Sequence, residues 1–500
     1  MAGGPSDRVK RESAQLDTSH DIVDTWRRLI VNLVVVAVIA ASVWVLCTLI
    51  RFGIEFGAEF TFAPFHGHGG HGEHGGHGAE SGLPAWHADY AVAILVGVIL
   101  IGALLRGLLL QLPSWKSSEG DGMGRSLEAF HATYFNENGA KDRYAQPTIF
   151  EALRRAVLTV LTVGTGGSGG IEAPVVPIGE NLGAWWSKVI GVVRPDDLRI
   201  YQMAGIAAAV ATLLDAPMTA ALFAAEVVYN ARILYRTLMY SLIGAVVAYA
   251  MNNHFLDMQP LFSVPFHSHR YTPLEYAEVA VVALLISAPA GLGITALFTF
   301  LKKLISPLAP VAKPVVGAAV VAAIAMALWY GLGIEPQHVM GVSEHTIVQV
   351  IAGEGNPLLT VWWVLFVLVI AKAVATGFTL MAGGSAGALV PAMYMGGISG
   401  AGMFHLLDQF GLTTVNDPSI YVVAGLSSAL VAVVQVPLAA IVFSMEVFGA
   451  SFGPPAIVAC VLTYKLARRW RLYLTPPPAP RKAETEAEAA AQAAQRTPDN

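Results

Sequence analysis

Apolar residues fall in long runs along this chain, and most polar residues collect in the stretches between them. The first run, Leu29 to Ile50, carries no charge and is long enough to cross about 30 Å of hydrocarbon at about 1.5 Å per residue. Further runs occupy residues 91–112, 203–229, 233–251, 277–299, 314–333, 358–383, 421–448 and 453–466. A membrane barrel would instead show segments of about ten residues that alternate apolar and polar, and the sequence has no such segments. In lipid every backbone N–H and C=O must be paired within the structure. The pattern therefore predicts an all-α polytopic membrane protein.

The runs are interrupted in a repeated way. Gly170-Ile171-Glu172-Ala173-Pro174 and Gly387-Ala388-Leu389-Val390-Pro391 read as diverged copies of one element. Downstream, Gly205, Pro217, Phe223 and Glu226 recur in the same order and at one constant offset as Gly425, Pro437, Phe443 and Glu446. The membrane domain, 29–474, thus reads as two related halves, about 89–252 and about 274–474, joined by a polar segment. Residues 1–28 form a polar arm, and 475–500, three prolines followed by Ala/Glu-rich sequence, read as a disordered tail. In membrane proteins built this way the substrate site usually lies where the halves meet.

Each motif follows a glycine cluster: five of the seven residues from Gly164 to Gly170, then Gly383, Gly384 and Gly387 in the second half. Glycine at that density breaks helices. Breaks at membrane depth persist only where they line a cavity or lie buried in protein. Close packing of small residues is the plainer alternative, but the order of glycine cluster, proline and apolar helix recurs in both halves. Proline is favoured at a helix's first turn, so each motif predicts the start of a half-helix. A helix start presents unpaired N–H groups and about half a positive charge. Two such ends together would hold a dehydrated anion without a fixed cation to trap it. A cation site would need carboxylates or rings of carbonyls.

Composition and charge change this picture little. The 500 residues are 55% hydrophobic and 13% charged, so the prior of about three soluble domains from length alone fails. The net charge of −5 is modest and points to no nucleic-acid partner; the bilayer is the partner that the composition requires. A mostly polar arm, 1–28, precedes the first run, unlike a short-flanked cleavable signal peptide. Arg27 and Arg28 before that run, with Lys465, Arg468, Arg469 and Arg471 after the last, place both termini in the cytoplasm of a bacterial-type inner (plasma) membrane. Cys47 and Cys460 lie in apolar runs and supply no disulfide or thiolate framework. No nucleophile with a nearby base marks an enzyme.

With these motifs in order, the chain resembles the CLC family of chloride channels and chloride/proton exchangers, of the prokaryotic type without CBS domains, over about residues 90–475. Gly170 to Pro174, followed by Ile178-Gly179-Glu180-Asn181-Leu182-Gly183, looks like the family's Gly-Lys/Arg-Glu-Gly-Pro motif. Gly387 to Pro391 looks like its Gly-x-Phe-x-Pro motif, and Asp215-Ala216-Pro217 through Val227 is similar to the segment that follows the gate. The resemblance implies an inverted repeat whose broken helices meet at an anion pathway, a homodimer with one pore per subunit, no cofactor, and chloride as the transported ligand. It makes Glu172 the external gate, a carboxylate that occupies an anion site when ionised and swings away when protonated. A carboxylate at membrane depth is costly and usually functional; the bland alternative is that Glu172 merely caps its own helix. Gly170, Ile171 and Ala173 in the first half, and the Ala388 and Leu389 backbone in the second, become anion contacts. Tyr473 looks like the tyrosine whose hydroxyl donates to the central anion; Tyr464 is the rival, and interfacial anchoring is open to either. Lys372, upstream of Gly387 in the same apolar run, reads either as a long-range attraction for anions or as a side chain snorkelling to an interface.

Three departures from the family pattern stand out. Where it has Gly-Ser-Gly-Ile-Pro, this chain has Gly120-Asp121-Gly122-Met123-Gly124. An ionised Asp121 would repel chloride, so the reading favoured is an outward Asp121 with N–H contacts from Gly122 or Met123. Exchangers often carry a glutamate where Val227 stands, which leans toward a channel and leaves a proton-coupled antiporter as the alternative. Glu180 lies about 12 Å deeper than Glu172 along one helix, either pairing with a neighbouring helix or relaying protons. Outside the family pattern, His66, His68, His71, His74 and His77 lie among glycines in the first external loop, with His254, His267 and His269 placed on the same face. Such a tract binds zinc, copper or nickel in other settings, and a metal-cation carrier is the more distant alternative; the spans offer few ligands for one.

Overall fold

A computed structural model of the chain describes residues 26–62, 65, 90–127, 130, 148–191, 195–229, 234–256, 262 and 271–467. The first half contains α1 (Trp26–Phe62), α2 (Ala91–Leu109), α3 (Ile149–Thr159), α4 (Glu172–Ile190), α5 (Pro195–Leu214), α6 (Pro217–Tyr229) and α7 (Tyr235–Phe255). The second contains α8 (Pro273–Ile305), α9 (Ala312–Leu332), the short α10 (Glu344–Ala352), α11 (Trp362–Met381), α12 (Leu389–Gln409), α13 (Ser419–Val434), α14 (Pro437–Phe448) and α15 (Gly453–Ala467). Among the described residues seven helices are long and apolar enough to cross a membrane.

Two of the apolar runs that read as single spans are each two helices. The run 203–229 breaks between α5 and α6, and 421–448 breaks between α13 and α14. At each break a non-glycine residue turns left-handed, Asp215 at φ 52° and Gln435 at φ 66°. Pro217 and Pro437 then open the next helix, where a missing N–H costs nothing. Hydropathy could not show these breaks, because the residues on both sides are equally apolar.

The halves pack alike. α1 lies against α5 and α7, as α8 lies against α13 and α15, so the packing extends the first half to α1. α4 crosses α5 where Gly179 faces Gly205, and α12 crosses α13 where Gly396 faces Gly425. A Cβ on any of the four would stand 2.2–2.3 Å from a backbone oxygen across the crossing. Only glycine admits so close an approach. α4 is buried from Glu172 to Ala184, and α13 from Ile420 to Val434. α1 and α8 carry exposed apolar side chains, Val34, Leu49, Leu285 and Phe300 among them. The centre is therefore helix on helix, and the outer faces suit lipid.

α6 and α14 run antiparallel and cap each other. Glu226, near the end of α6, accepts from Leu438 N (3.0 Å) and Ala439 N (2.8 Å) at the start of α14. Glu446, near the end of α14, accepts from Met218 N (3.0 Å) and Thr219 N (2.8 Å) at the start of α6. Each carboxylate satisfies orphan N–H groups and sits at the positive end of the other half's helix. The fold is an inverted repeat of broken helices, as the sequence motifs predict.

Candidate functional site

The two glycine motifs meet in space. Gly170 N donates to Gly387 O at 2.9 Å and Gly387 N donates to Gly170 O at 2.7 Å, an isolated antiparallel pair between the halves. A Cβ on Gly387 would lie 2.7 Å from the Ala173 Cβ. This pair fixes the starts of α4 and α12 beside each other.

Hydroxyls brace the pair from behind. Ser168 N donates to Thr379 Oγ1 (3.1 Å), and Ser385 N donates to Thr162 Oγ1 (3.2 Å). Ser168 Oγ meets Thr376 Oγ1 at 3.0 Å, and Ser385 Oγ meets Thr159 Oγ1 at 2.9 Å. All six residues are buried, and each first-half member has its counterpart at the offset that separates Gly170 from Gly387. Their chains reverse in the same way, since Gly166 (φ 102°) and Gly383 (φ 83°) adopt a conformation that disfavours side chains. Before the first reversal α3 widens into a π turn over Val160–Gly164. Sequence reasoning missed this network, although the recurring Thr-x-x-Thr-x-x-x-Gly-Gly-Ser spacing was there to find.

Glu172 is the first residue of α4, only 2% exposed, and its Oε2 has no hydrogen-bond partner. Leu389 holds the same place in α12, with Ala388 just before it. The first N–H groups of a helix have no acceptor inside the helix. The site therefore joins two helix starts and one buried carboxylate, on the first-half side only. Gly170, Ile171, Ala173, Ala388 and Leu389 all lie at this junction and are buried.

The Gly120–Gly124 stretch, called the inner motif after the sidedness expected from the resemblance, is a second such place. Gly120 (φ 74°) and Gly122 (φ 75°) turn the chain into a helical stretch over residues 123–127. Asp121 Oδ1 accepts from Met123 N at 3.2 Å, so the half-buried carboxylate caps this stretch instead of simply pointing outward. Any other acceptor at the Met123 N–H would have to displace it. Ser126 Oγ donates to Glu180 Oε2, and Gln202 Nε2 donates to Glu180 Oε1 at 3.2 Å. Glu180 is thereby tied to the inner motif and to α5 by neutral groups.

Arg155 is a site residue that sequence reasoning overlooked. It is buried, its Nη1 donates to Gly120 O at 3.0 Å, and a Cβ on Gly122 would strike its guanidinium. Lys372 is its counterpart, since Arg155 precedes Glu172 by the same interval as Lys372 precedes Leu389. Lys372 Nζ donates to Val339 O (3.1 Å), Gly341 O (2.8 Å) and Ser343 Oγ (2.9 Å). It is 0% exposed, which removes the snorkelling alternative. Gly341 O also accepts from Gly169 N at 3.1 Å, so this loop touches the segment that leads into Glu172. The shared interval was the sequence signal for both cations.

Val227 is buried in α6, and Tyr464 packs half-buried against the core. His254 stands exposed at the end of α7 beside Phe255. Tyr473, His66, His68, His71, His74, His77, His267 and His269 lie outside the described residues. Among the described residues no group of three His, Cys, Asp or Glu side chains forms a metal site.

The sequence model of the family described as Voltage gated chloride channel matches residues 97–468. The chain is 28% identical over 329 residues to a chloride/fluoride channel protein of Pseudomonas syringae pv. tomato, covering 63% of this chain and 66% of that protein. It is 33% identical over 104 residues to an uncharacterized protein of Methanocaldococcus jannaschii, covering 21% of this chain and 25% of that one. Among solved structures it resembles a slow cyanobacterial Cl−/H+ antiporter, with TM-score 0.70, 15% identity, and coverage of 93% of this chain and 98% of the other. A CLC-type fluoride/proton antiporter gives TM-score 0.67, 19% identity, and coverage of 90% and 98%. Identities this low carry the fold and nothing further.

Proposed function

This chain belongs to the voltage gated chloride channel family, and on that premise we propose that it carries small anions, chloride first among them, across a bacterial-type inner membrane. The observation that carries the reading is the Gly170–Gly387 pair, which holds two helix starts together around the buried carboxylate of Glu172, whose Oε2 has no hydrogen-bond partner. In this reading the ionised carboxylate occupies the place that an anion takes at the α4 start. On protonation it loses its attraction for the helix dipole and yields the place. Gly170, Ile171, Ala173, Ala388 and Leu389 supply backbone contacts there, Gly122 and Met123 supply them at the inner motif, and Tyr473 donates its hydroxyl between the two. Chloride is the transported ligand and no cofactor takes part. The protein is not an enzyme, it acts as a homodimer with one pore in each subunit, and both termini are cytoplasmic.

Val227 favours channel-like flux. The contact of Glu180 with Ser126 favours a second reading, proton-coupled antiport, because it puts a buried carboxylate beside the inner motif. Two of the similar structures are described as proton antiporters, one of chloride and one of fluoride. Purified protein in liposomes, with chloride and pH recorded together, tests both. Glu172→Gln should make chloride flux insensitive to external pH. Unchanged pH dependence in that variant would refute the gate. Proton movement against the chloride gradient, abolished by Glu180→Gln with chloride flux spared, would establish the antiporter.

A further inference from the structure

Three arginine or lysine side chains are buried in the membrane domain among the described residues: Arg106, Arg155 and Lys372. The last two are matched. Arg155 has Asp121, Glu151 and Glu180 around it, and Lys372 has Glu344 together with two carbonyls and a hydroxyl. Arg106 differs in its surroundings. It lies in the last turn of α2, is 4% exposed, and makes one side-chain hydrogen bond, from Nη1 to Thr162 Oγ1 at 3.0 Å. Its Nε, like that of Arg155, has no acceptor, and among the described residues no carboxylate lies close enough to offset its charge. It has no counterpart in the second half either, since α9 beyond Lys313 contains no basic residue.

A guanidinium stays protonated even when buried, and an uncompensated charge at this depth is a cost that proteins usually offset with a partner. Arg106 lines a small, partly open cavity with room for the centre of one water-sized particle, about 10 Å³. Thr162, Thr165 and Thr379 share its wall with Ala103 and Ala318. The threonine hydroxyls each donate to a carbonyl four residues back, at 2.6–3.0 Å. The donor with no acceptor at this cavity is therefore the guanidinium. The cavity belongs to α2, α9, α11 and the turn between α3 and α4, and no α4 or α12 residue lines it.

We propose that this cavity is a binding site for one water-sized monovalent anion, held against Arg106 and separate from the transport pathway. Among halides fluoride matches water in size, and chloride is larger. A bound anion would neutralise Arg106 beside the hydroxyl network that joins the halves.

Equilibrium dialysis of the purified full chain against fluoride, read with a fluoride-selective electrode in saturating chloride, tests this. Excess chloride fills any chloride site in the pathway, and the variants below separate the cavity from a fluoride-preferring site there. One fluoride per chain should bind, with an affinity that stays constant as chloride is raised further. Arg106→Gln removes the charge, and Ala103→Val fills the cavity while keeping the charge; each should weaken this binding at least about tenfold. Absence of a chloride-resistant site in the wild-type protein, as expected if the cavity holds only water, overturns the proposal. So does full retention in either variant that folds, or displacement by chloride as effective as by fluoride.

Discussion

The break before α4 and the break before α12 are built from the same parts in the same order. Thr159, Thr162, Gly166, Gly167, Ser168 and Gly170 on one side answer Thr376, Thr379, Gly383, Gly384, Ser385 and Gly387 on the other. The reversal bonds match as well, Gly167 N to Thr162 O at 2.9 Å and Gly384 N to Thr379 O at 3.0 Å. Even the buried cations correspond, Arg155 to Lys372. At the first residue of the half-helix the likeness stops, with Glu172 in one half and Leu389 in the other. The backbone is thus shaped by what the halves share. The chemistry follows from what they do not.

The shared part should break hardest. Gly179→Val and Gly396→Val each force a side chain into a backbone oxygen 2.2–2.3 Å from the new Cβ. Overpacking at a crossing that cannot open should cost about 3 kcal/mol, near the upper end for such changes. Both variants should lose the monodisperse peak in size-exclusion chromatography, and by similar amounts. A well-behaved protein from one of them would show that the two crossings are not equivalent.

The unshared part should break function and spare the fold. Moving the carboxylate across, with Glu172→Leu and Leu389→Glu combined, places a glutamate at the start of α12. Because the halves are inverted, the pH dependence of flux should move to the opposite face of the membrane. Liposomes with pH set independently on each side would show it. Dependence that stays on the original side would mean that residues other than the helix-start carboxylate decide the gate.

How much of this was legible follows the same division. Glycine, proline and a buried glutamate have meanings that do not depend on their neighbours, so the half-helix starts and the inverted repeat could be read directly. The breaks at Asp215 and Gln435 could not, because nothing in an apolar run announces a left-handed residue. Threonine and serine inside apolar helices usually bond to their own backbone, and so the reciprocal hydroxyl network drew no notice. Arg155 was passed over for a different reason. Its role depends on the carbonyl of Gly120, in a loop well upstream, a contact that periodicity does not encode. The matching intervals of Arg155 and Lys372 were present in the sequence, yet they become informative only once both side chains are known to be buried.

The hydroxyl network gives a finer comparison. Thr162→Val and Thr379→Val each leave a buried serine N–H without its acceptor, at a cost of about 1–3 kcal/mol. Thr162 also accepts from Arg106, and Thr379 has no such contact. Thr162→Val should therefore lower the melting temperature more than Thr379→Val. Equal losses would mean that the Arg106 contact contributes little to stability and that its charge is compensated from elsewhere.

The smallest effect belongs to the reciprocal caps of α6 and α14, and there two simple expectations conflict. Glu446 accepts three hydrogen bonds, since the Thr219 hydroxyl adds one at 2.7 Å, whereas Glu226 accepts two. Counting bonds predicts that Glu446→Gln costs more. Burial predicts the reverse, because Glu226 is 5% exposed while Glu446 is only half-buried, so water can replace the lost acceptor at Glu446 alone. Glutamine keeps one acceptor oxygen and turns an NH2 toward a backbone N–H, which holds either loss near about 1 kcal/mol. We expect burial to decide, with Glu226→Gln the more destabilising in thermal unfolding. Because the two caps share no hydrogen-bond partner, the double variant should be additive to within about 0.5 kcal/mol. A larger deficit in the double variant would show that α6 and α14 come apart together, as one unit spanning both halves.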